Sequence, residues 1–494
     1  VKIPFFGGAY TGRSSAVSPS TCQGYFFEKG MDGDALVSTP GDVLFSDLQN
    51  SEVRGAIEFN GNAFFVCGNT LYEVESDGTA LDRGEINTSG GRVSMAHNGT
   101  RATDSTGVTN TKQHLAIGDG TSYYVYDNIA KTISEVQNSG GDILKAVSLD
   151  FIDGYIIFNV ADDDKWYISN LYDAETVNAL DFYVGEGSPD IGQSLVADRR
   201  EVFFFQKKTT ERYYNSGDAD DTFKRYQGGY IEKGCAAPFT AVRFDNSVAW
   251  LGEDEEGNGQ VVQIGGENQV QVISTPEVNY QISTYTTISD AFAYVYQHEG
   301  HEFYVLTFPS EGKTWAYDAS TQMWHTRAHN VGGSPSRERY NCHVFAHGKH
   351  LFGDFENGKI YALDSTVGTQ NGTRMNRERI SMSLGKEEER IRIKSIQLDL
   401  DEGFGDSNDS TDTKFWMSWS KDGGHTFSNE IERSGGELGD YGRRLVWRRL
   451  GQARNWIFRL RTSVPHPHVI RGLNAKLVGE PTQIQEMSGR GKQY

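Results

Sequence analysis

The chain has 494 residues and a formal net charge of −20, with 56 glycines, 12% aromatic residues and 23% charged ones. No apolar run approaches the roughly 20 residues that a membrane-spanning helix needs, and with long apolar helical periodicity missing the profile is that of an all-β protein with many turns. The opening Val1-Lys2-Ile3-Pro4 does not read as a signal peptide. Charge is uneven: residues 371–494 hold 21 Lys and Arg against 17 Asp and Glu, a net of +4, which leaves 26 against 50, a net of −24, for residues 1–370. Phosphate affinity comes from Lys and Arg. An acidic body therefore argues against tight DNA binding over most of the surface, and suits either a surface that DNA passes without sticking or merely a soluble one.

In chain order, residues 1–50 carry few regular signals and read as an extended N-terminal segment, with a strand at Val43–Phe45. From residue 51 a hairpin unit recurs. Its clearest copy is Gly61–Gly78, where Asn62–Cys67 is aromatic and β-branched, Gly68-Asn69 turns, and Leu71–Val74 alternates. Further copies begin near residues 114, 155, 202, 248, 303 and 350, a mean spacing of roughly 49, near the period of propeller blades. Such a small sheet cannot bury both faces alone, so blades pack radially on their neighbours. We read residues 51–370 as a β-propeller of six or seven blades. A pair of β-sandwiches of similar length is the competing architecture.

A polar stretch, Asp364–Thr373, then reads as a linker. Strands expected at Ile380–Leu384, Ile391–Leu400, Phe415–Trp419, Leu445–Leu450, Trp456–Arg461 and Val469–Val478 fit a β-sandwich-like domain over 371–480. Residues 481–494 read as a flexible tail. The fold class is thus all-β, propeller followed by sandwich.

Several clusters bear on chemistry. Ser420-Lys421-Asp422-Gly423-Gly424-His425-Thr426-Phe427 resembles the Asp-box turn, in which Ser420, Asp422, Gly424 and Thr426 fix a hairpin and the aromatic Phe427 packs beneath it. This is a structural motif and does not by itself point to catalysis. Arg443, Arg444, Arg448, Arg449, Arg454, Arg459 and Arg461, interleaved with Trp447, Trp456 and Phe458, form a basic cluster. Guanidinium forks suit carboxylates and phosphates alike, so nucleic acid, a protein interface and an ordinary Arg-faced strand pair are all open. The acidic remainder of the chain favours an acidic neighbouring subunit.

The acidic loop Asp401–Asp412 lacks the spacing of a calcium loop. Cys22, Cys67, Cys235 and Cys342 show no Cys-x-x-Cys pairing and read as free thiols. Gly-x-Ser-x-Gly, His-Glu-x-x-His and phosphate-loop motifs are absent. The histidines at 298–350 read as core or surface groups, His343 and His347 on a strand running into a turn. We expect no enzyme, no cofactor and no metal.

Four motifs carry a family resemblance, in order: Ile3-Pro4-Phe5 with Gly7-Gly8, Thr39-Pro40-Gly41, Gly91-Arg92-Val93-Ser94-Met95-Ala96-His97-Asn98, and Arg443–Gly451. The chain resembles the packaged-DNA stabilisation proteins of short-tailed bacteriophages, also called tail accessory factors or nozzle proteins. It departs from them at Gly24-Tyr25-Phe26-Phe27-Glu28, where an Asn-aliphatic-Tyr-Pro-Glu pattern is expected. The resemblance implies a homo-hexameric ring below the portal and its adaptor, extending the channel for double-stranded DNA. It also implies a role in retaining that DNA, attachment of spikes or fibres and a plug or needle, and a place in the virion tail after synthesis in the host cytoplasm. The basic strands would then face an adjacent subunit or the adaptor. The alternatives are a sialidase-like propeller glycosidase and a carbohydrate-binding receptor protein.

Overall fold

The computed structural model describes residues 1–13, 19–30, 33–48, 51–98, 112–187, 190–218, 221–254, 257–265, 269–331, 334–385, 389–401, 413–436, 439 and 444–478. Seven four-stranded antiparallel sheets succeed one another as the blades of a propeller. Their inner strands are Val53–Phe59, Ser94–His97, Ala146–Ile152, Gly192–Asp198, Val242–Phe244, Phe292–His298 and Tyr340–Ala346. Of the six or seven blades expected, there are seven.

Each blade is apolar on both faces where it meets its neighbours. In Asn62–Cys67, Phe64 and Val66 pack with Leu115 and Tyr124 of the second blade, while Ala63, Phe65 and Cys67 pack with Val344 and Leu351 of the seventh. Period-2 alternation thus sends successive side chains into different cores. Seven such clusters, one at each junction between successive blades, close the ring.

The inner hairpin of six blades is a two-residue turn with both residues at positive φ. These turns are Asn60-Gly61, Asp153-Gly154, Arg199-Arg200, Asp245-Asn246, Glu299-Gly300 and His347-Gly348. This is the mirror-image turn whose twist matches that of the strands. The second blade departs from the pattern; its inner hairpin spans 98–113, mostly outside the described residues.

Residues 1–50 were expected as a separate extended segment, and their described strands are instead shared between the two units. Gly41–Asp47 pairs antiparallel with Lys359–Asp364 as the outer strand of the seventh blade, so the two ends of the propeller are sewn together by one sheet. Gly41 enters where a Cβ would come within 2.2 Å of the Thr369 carbonyl oxygen, so only glycine fits this approach.

The remaining N-terminal strands join the sandwich. One of its sheets runs Tyr25–Lys29, Asp34–Ser38, Val469–Leu477, Ile391–Leu400, Leu445–Ala453. The other runs Pro19–Gln23, Arg377–Ile380, Asn455–Thr462, Lys414–Ser420, Ile431–Ser434. The second sheet is continuous with the sixth blade through the Gln23–Thr326 bridge. A single core accordingly contains Trp315 and Trp324 of that blade together with Trp447 and Trp456 of the sandwich.

One α-helix, Pro276–Ser283, is found among the described residues. Thr275 caps it, Pro276 opens it, and Val278 and Ile282 bury its inner face. All four cysteines are buried free thiols.

Candidate functional site

The structure divides the basic cluster between two sheets. Leu445–Ala453 is the edge strand of the first sheet, and it carries Arg444, Arg448, Arg449 and Arg454 in or beside it, all exposed. None of these four makes an ion pair with another described residue. A bulge interrupts the strand, with Arg449 at φ 65° and Gly451 at φ 96°. Charge and a bulge both hinder indiscriminate strand pairing at an open edge, and the Arg433 Nε–H donates to the Val446 carbonyl at 3.0 Å, capping part of it. The strand thus carries exposed guanidinium groups along an edge poorly suited to accept another strand.

Arg459 and Arg461 lie on the second sheet and are paired. Arg461 Nη1 donates to Glu430 Oε1 at 2.9 Å, and Arg459 Nη2 stands 3.7 Å from the same oxygen. The Arg459 guanidinium also lies 4.4 Å above the Phe427 ring. Trp447 and Trp456 are fully buried, with indole N–H groups donating to the Ile431 and Ile391 carbonyls. These two tryptophans hold the sandwich core and are not part of an exposed surface. Arg443 lies outside the described residues.

In the Asp-box-like turn, Ser420 Oγ donates to Asp422 Oδ1 (2.6 Å) and accepts from the Gly424 N–H (2.9 Å). Asp422 in turn accepts from the Thr426 N–H and hydroxyl, at 3.0 and 2.5 Å. Hydrogen bonds from Ser420 and then Thr426 hold the Asp422 carboxyl far below the usual carboxylate range. A carboxylate so engaged is a poor proton donor or acceptor, and the geometry is that of a locked turn. Of the acidic loop, Asp401 is described and 402–412 are not.

Sequence reasoning overlooked a set of buried arginines. Arg54 is fully buried, and its guanidinium donates to the carbonyls of Gly68, Thr88, Gly90 and Gly91 at 2.7–2.8 Å, tying the first blade to the connection that leads into the second. Arg377 and Arg379 are buried at the junction of propeller and sandwich. Arg379 donates to the Phe5, Gly8 and Thr21 carbonyls and to Ser20 Oγ, while Arg377 donates to those of Val464, Thr39 and Gly368.

Arg92 spans the propeller axis. From the start of the second blade its guanidinium reaches 3.8 Å above the Phe292 ring of the sixth blade and 5.7 Å from Phe239, which precedes the fifth. It also donates to Asn341 Oδ1 of the seventh blade at 3.3 Å. The Gly91–Asn98 motif thus acquires a physical reading. Gly91 turns at φ 84°, Arg92 crosses the axis, His97 stacks between Phe59 and Phe151, and Asn98 binds the His114 N–H and the Lys112 and Tyr172 carbonyls.

One group among the described residues has metal-ligand proximity: His114, Asp173 and Glu175. His114 Nδ1 accepts from the Ala174 N–H at 3.2 Å, which leaves the ring proton on Nε2 toward Glu175, and the Lys112 ammonium already bonds Asp173. The ring so oriented offers no lone pair to an ion. His343 and His347 sit on a strand and a turn, with His343 Nε2 3.0 Å from His350 Nδ1.

The fold defines a class, β-propeller proteins fused to a β-sandwich through a shared core and a continuous sheet. Comparison with known families makes this particular. Residues 6–368 match the family described as bacteriophage P22 Gp10, beta-propeller, and residues 376–478 match bacteriophage P22 Gp10, beta-sandwich. The chain belongs to the bacteriophage P22 Gp10 stabilisation-protein family, and is a phage structural protein of the virion tail. No curated protein matches it. Among solved structures, PorZ, a surface component of the type-IX secretion system of Porphyromonas gingivalis, is 9% identical with a TM-score of 0.35; the match covers 73% of this chain and 44% of PorZ. This chain thus spans less than half the length of PorZ, and a likeness that distant carries no argument here.

Proposed function

We propose that the chain is one subunit of a six-fold nozzle ring below the portal and its adaptor, where it extends the DNA channel, helps retain packaged DNA and carries spikes or fibres and a plug. Family membership over both units supports this reading, and the observation that carries it further is the arginine-bearing edge strand of the sandwich. Four exposed guanidinium groups without acid partners among the described residues, on a chain of net charge −20, form a surface suited to an acidic neighbour. An adjacent subunit's acidic propeller or the adaptor would fill that role.

Arg92 supports a second element of the proposal. Because it bridges the axis, duplex DNA does not pass through the propeller's own centre. The channel would instead be enclosed between subunits, lined by acidic surface along which DNA slides without adhering. Cryo-electron microscopy of the chain mixed with its portal–adaptor complex tests both points. We expect a six-fold ring beneath the adaptor with the Leu445–Ala453 strand at a protein contact. A chain that remains a glycan-binding or glycan-cleaving monomer, or a ring in which that strand faces open solvent, would overturn the proposal.

A further inference from the structure

Of the six inner hairpins that turn on two residues at positive φ, four place glycine second. The two that do not, Arg199-Arg200 and Asp245-Asn246, belong to the fourth and fifth blades, which are neighbours. Their four side chains are kept at φ 47°, 66°, 47° and 56°. Asp and Asn tolerate this region, whereas Arg is strained there and glycine would relieve it. Such strain gathers where side chains are retained for a purpose.

Both turns border one cleft of about 360 Å³ between these two blades. That volume lies within the roughly 300–1,000 Å³ of small-molecule sites. Arg199 Nη2 donates to the Asn246 carbonyl, which ties the two turns together. Part of the lining is fixed. Arg212, 8% exposed, donates to Glu201 through Nε (3.1 Å) and Nη2 (2.5 Å), and its guanidinium lies 5.6 Å from the centre of the buried Phe203 ring. Gln263 Nε2 donates to the Phe244 carbonyl at 3.2 Å. By contrast, the side chains of Asp245, Asn246 and Gln271 line the cleft and hydrogen-bond to no other described residue.

The charges in the cleft narrow the ligand class. Three carboxylates, of Asp198, Glu201 and Asp245, stand against two guanidinium groups, of Arg199 and Arg212, each already beside an acid. An anionic ligand would therefore meet repulsion. The three acids do not come within metal-ligand proximity of one another. A simple amine would engage Asp245 but leave the amides of Asn246 and Gln271 unused. A sugar hydroxyl both donates and accepts, so adjacent hydroxyls can pair with a carboxylate and an amide at once.

We propose that the cleft between the fourth and fifth blades binds a short neutral saccharide, with Asp245, Asn246 and Gln271 bonding its hydroxyl groups. The missing glycine then has a reason: glycine at residue 246 would ease the backbone and remove a ligand-binding amide. The cleft lies within one chain, so its occupancy is independent of ring formation.

Saturation-transfer NMR on the full chain tests this. The probes are the methyl glycosides of glucose, mannose, galactose and rhamnose, with N-acetylneuraminic acid and glucosamine as charged comparators. Transfer to at least one neutral glycoside is expected, and titration should show binding roughly tenfold weaker in Asn246→Gly. The thermal midpoint of that variant should hold or rise, because glycine adopts φ 56° freely, so lost binding there is not lost folding. Gln271→Ala should weaken the same glycoside. No transfer to any neutral glycoside, stronger binding of either charged sugar, or affinity unchanged in both variants would overturn the proposal.

Discussion

Replacing Arg379 by methionine separates the two opposing effects of a buried guanidinium at the junction of propeller and sandwich. The wild-type group donates four hydrogen bonds, to the Phe5 (2.7 Å), Gly8 (3.2 Å) and Thr21 (2.7 Å) carbonyls and to Ser20 Oγ (2.9 Å). Methionine fills similar volume and removes the cost of burying a charge, which is several kcal/mol. Against this, the Phe5 and Thr21 carbonyls lose charged donors, at about 1–3 kcal/mol each. The Gly8 carbonyl keeps the Ser20 hydroxyl as a donor at 2.9 Å, so it loses less. Because Nη2 already lacks a partner, not all of the guanidinium's capacity is used. The two losses sum to about 2–6 kcal/mol and the relieved charge burial offsets most of this, so we expect net destabilisation by about 1–2 kcal/mol, confined to the segment that Arg379 holds. By the tenfold-per-1.4 kcal/mol rule, amide exchange in residues 3–13 and 19–23 should accelerate roughly 5- to 30-fold, with the blades remote from the junction unchanged. Hydrogen–deuterium exchange with peptide-level mass spectrometry measures this. Exchange that is unchanged or slower in that segment would refute the reasoning, because the buried charge would then cost more than its bonds return.

Three other perturbations probe separate parts of the molecule. Arg200 holds φ 66° in a turn where four of the other five two-residue turns place glycine, so Arg200→Gly should stabilise the fold by about 0.5–1 kcal/mol net of a lost surface pair with Asp153, and a calorimetric midpoint that falls would count against backbone strain there. Burial raises the Asp42 carboxyl to about 6, from an unfolded value near 3.8, despite hydrogen bonds from Tyr340 and the Asn371 N–H. The folded state thus binds the extra proton between these values, and stability is fully present below about pH 3.8 and lost as pH rises through about 6. Asp42→Asn should therefore gain on wild type by on the order of 3 kcal/mol between pH 4 and 7 in chemical denaturation, whereas a constant offset would remove Asp42 as the cause. Arg448→Glu combined with Arg449→Glu, both exposed, should leave the monomer's thermal midpoint within about a degree, yet reduce incorporation below the adaptor at least tenfold by negative-stain microscopy; full incorporation would place the interface elsewhere.

The parts of the fold legible in the sequence were those governed by local chemistry. The hairpin units read from the residues correspond mainly to the second and third strands of each blade, which are apolar on both faces and joined by short turns. Several outer strands, such as Ala80–Glu85 and Thr132–Glu135, contain no fully buried residue and are rich in polar groups, and without apolar alternation they carried no signal. The closing strand was visible at Val43–Phe45, but its partner lies more than three hundred residues away, and no local pattern encodes such a pairing. The helix start at Thr275-Pro276-Glu277 was readable from its cap and was overlooked, because eight residues give little periodicity. Arginine misled in both directions. Composition suggests that it belongs at the surface, which hid the buried Arg54, Arg337, Arg377 and Arg379 and the half-buried Arg92. The same expectation made Trp447 and Trp456 read as members of an exposed basic cluster when they are core.

These buried arginines share a logic that bears on assembly. Arg377 and Arg379 bind carbonyl oxygens from segments far apart in sequence, and each costs desolvation that a larger apolar core would avoid. Arg377 and Arg379 do this where the N-terminal segment, the propeller and the sandwich meet, and there the sixth blade and the sandwich also share hydrogen bonds through Gln23 and Thr326. A hinge between two units would need the opposite, few shared bonds and a solvated linker. The arrangement therefore fixes the sandwich on the propeller, and force applied to one unit is transmitted to the other through a continuous sheet. In the proposed ring, a spike or fibre pulling on the propeller would then load the second sandwich sheet directly, and through the shared core the Leu445–Ala453 edge strand of the first sheet, without first extending a linker.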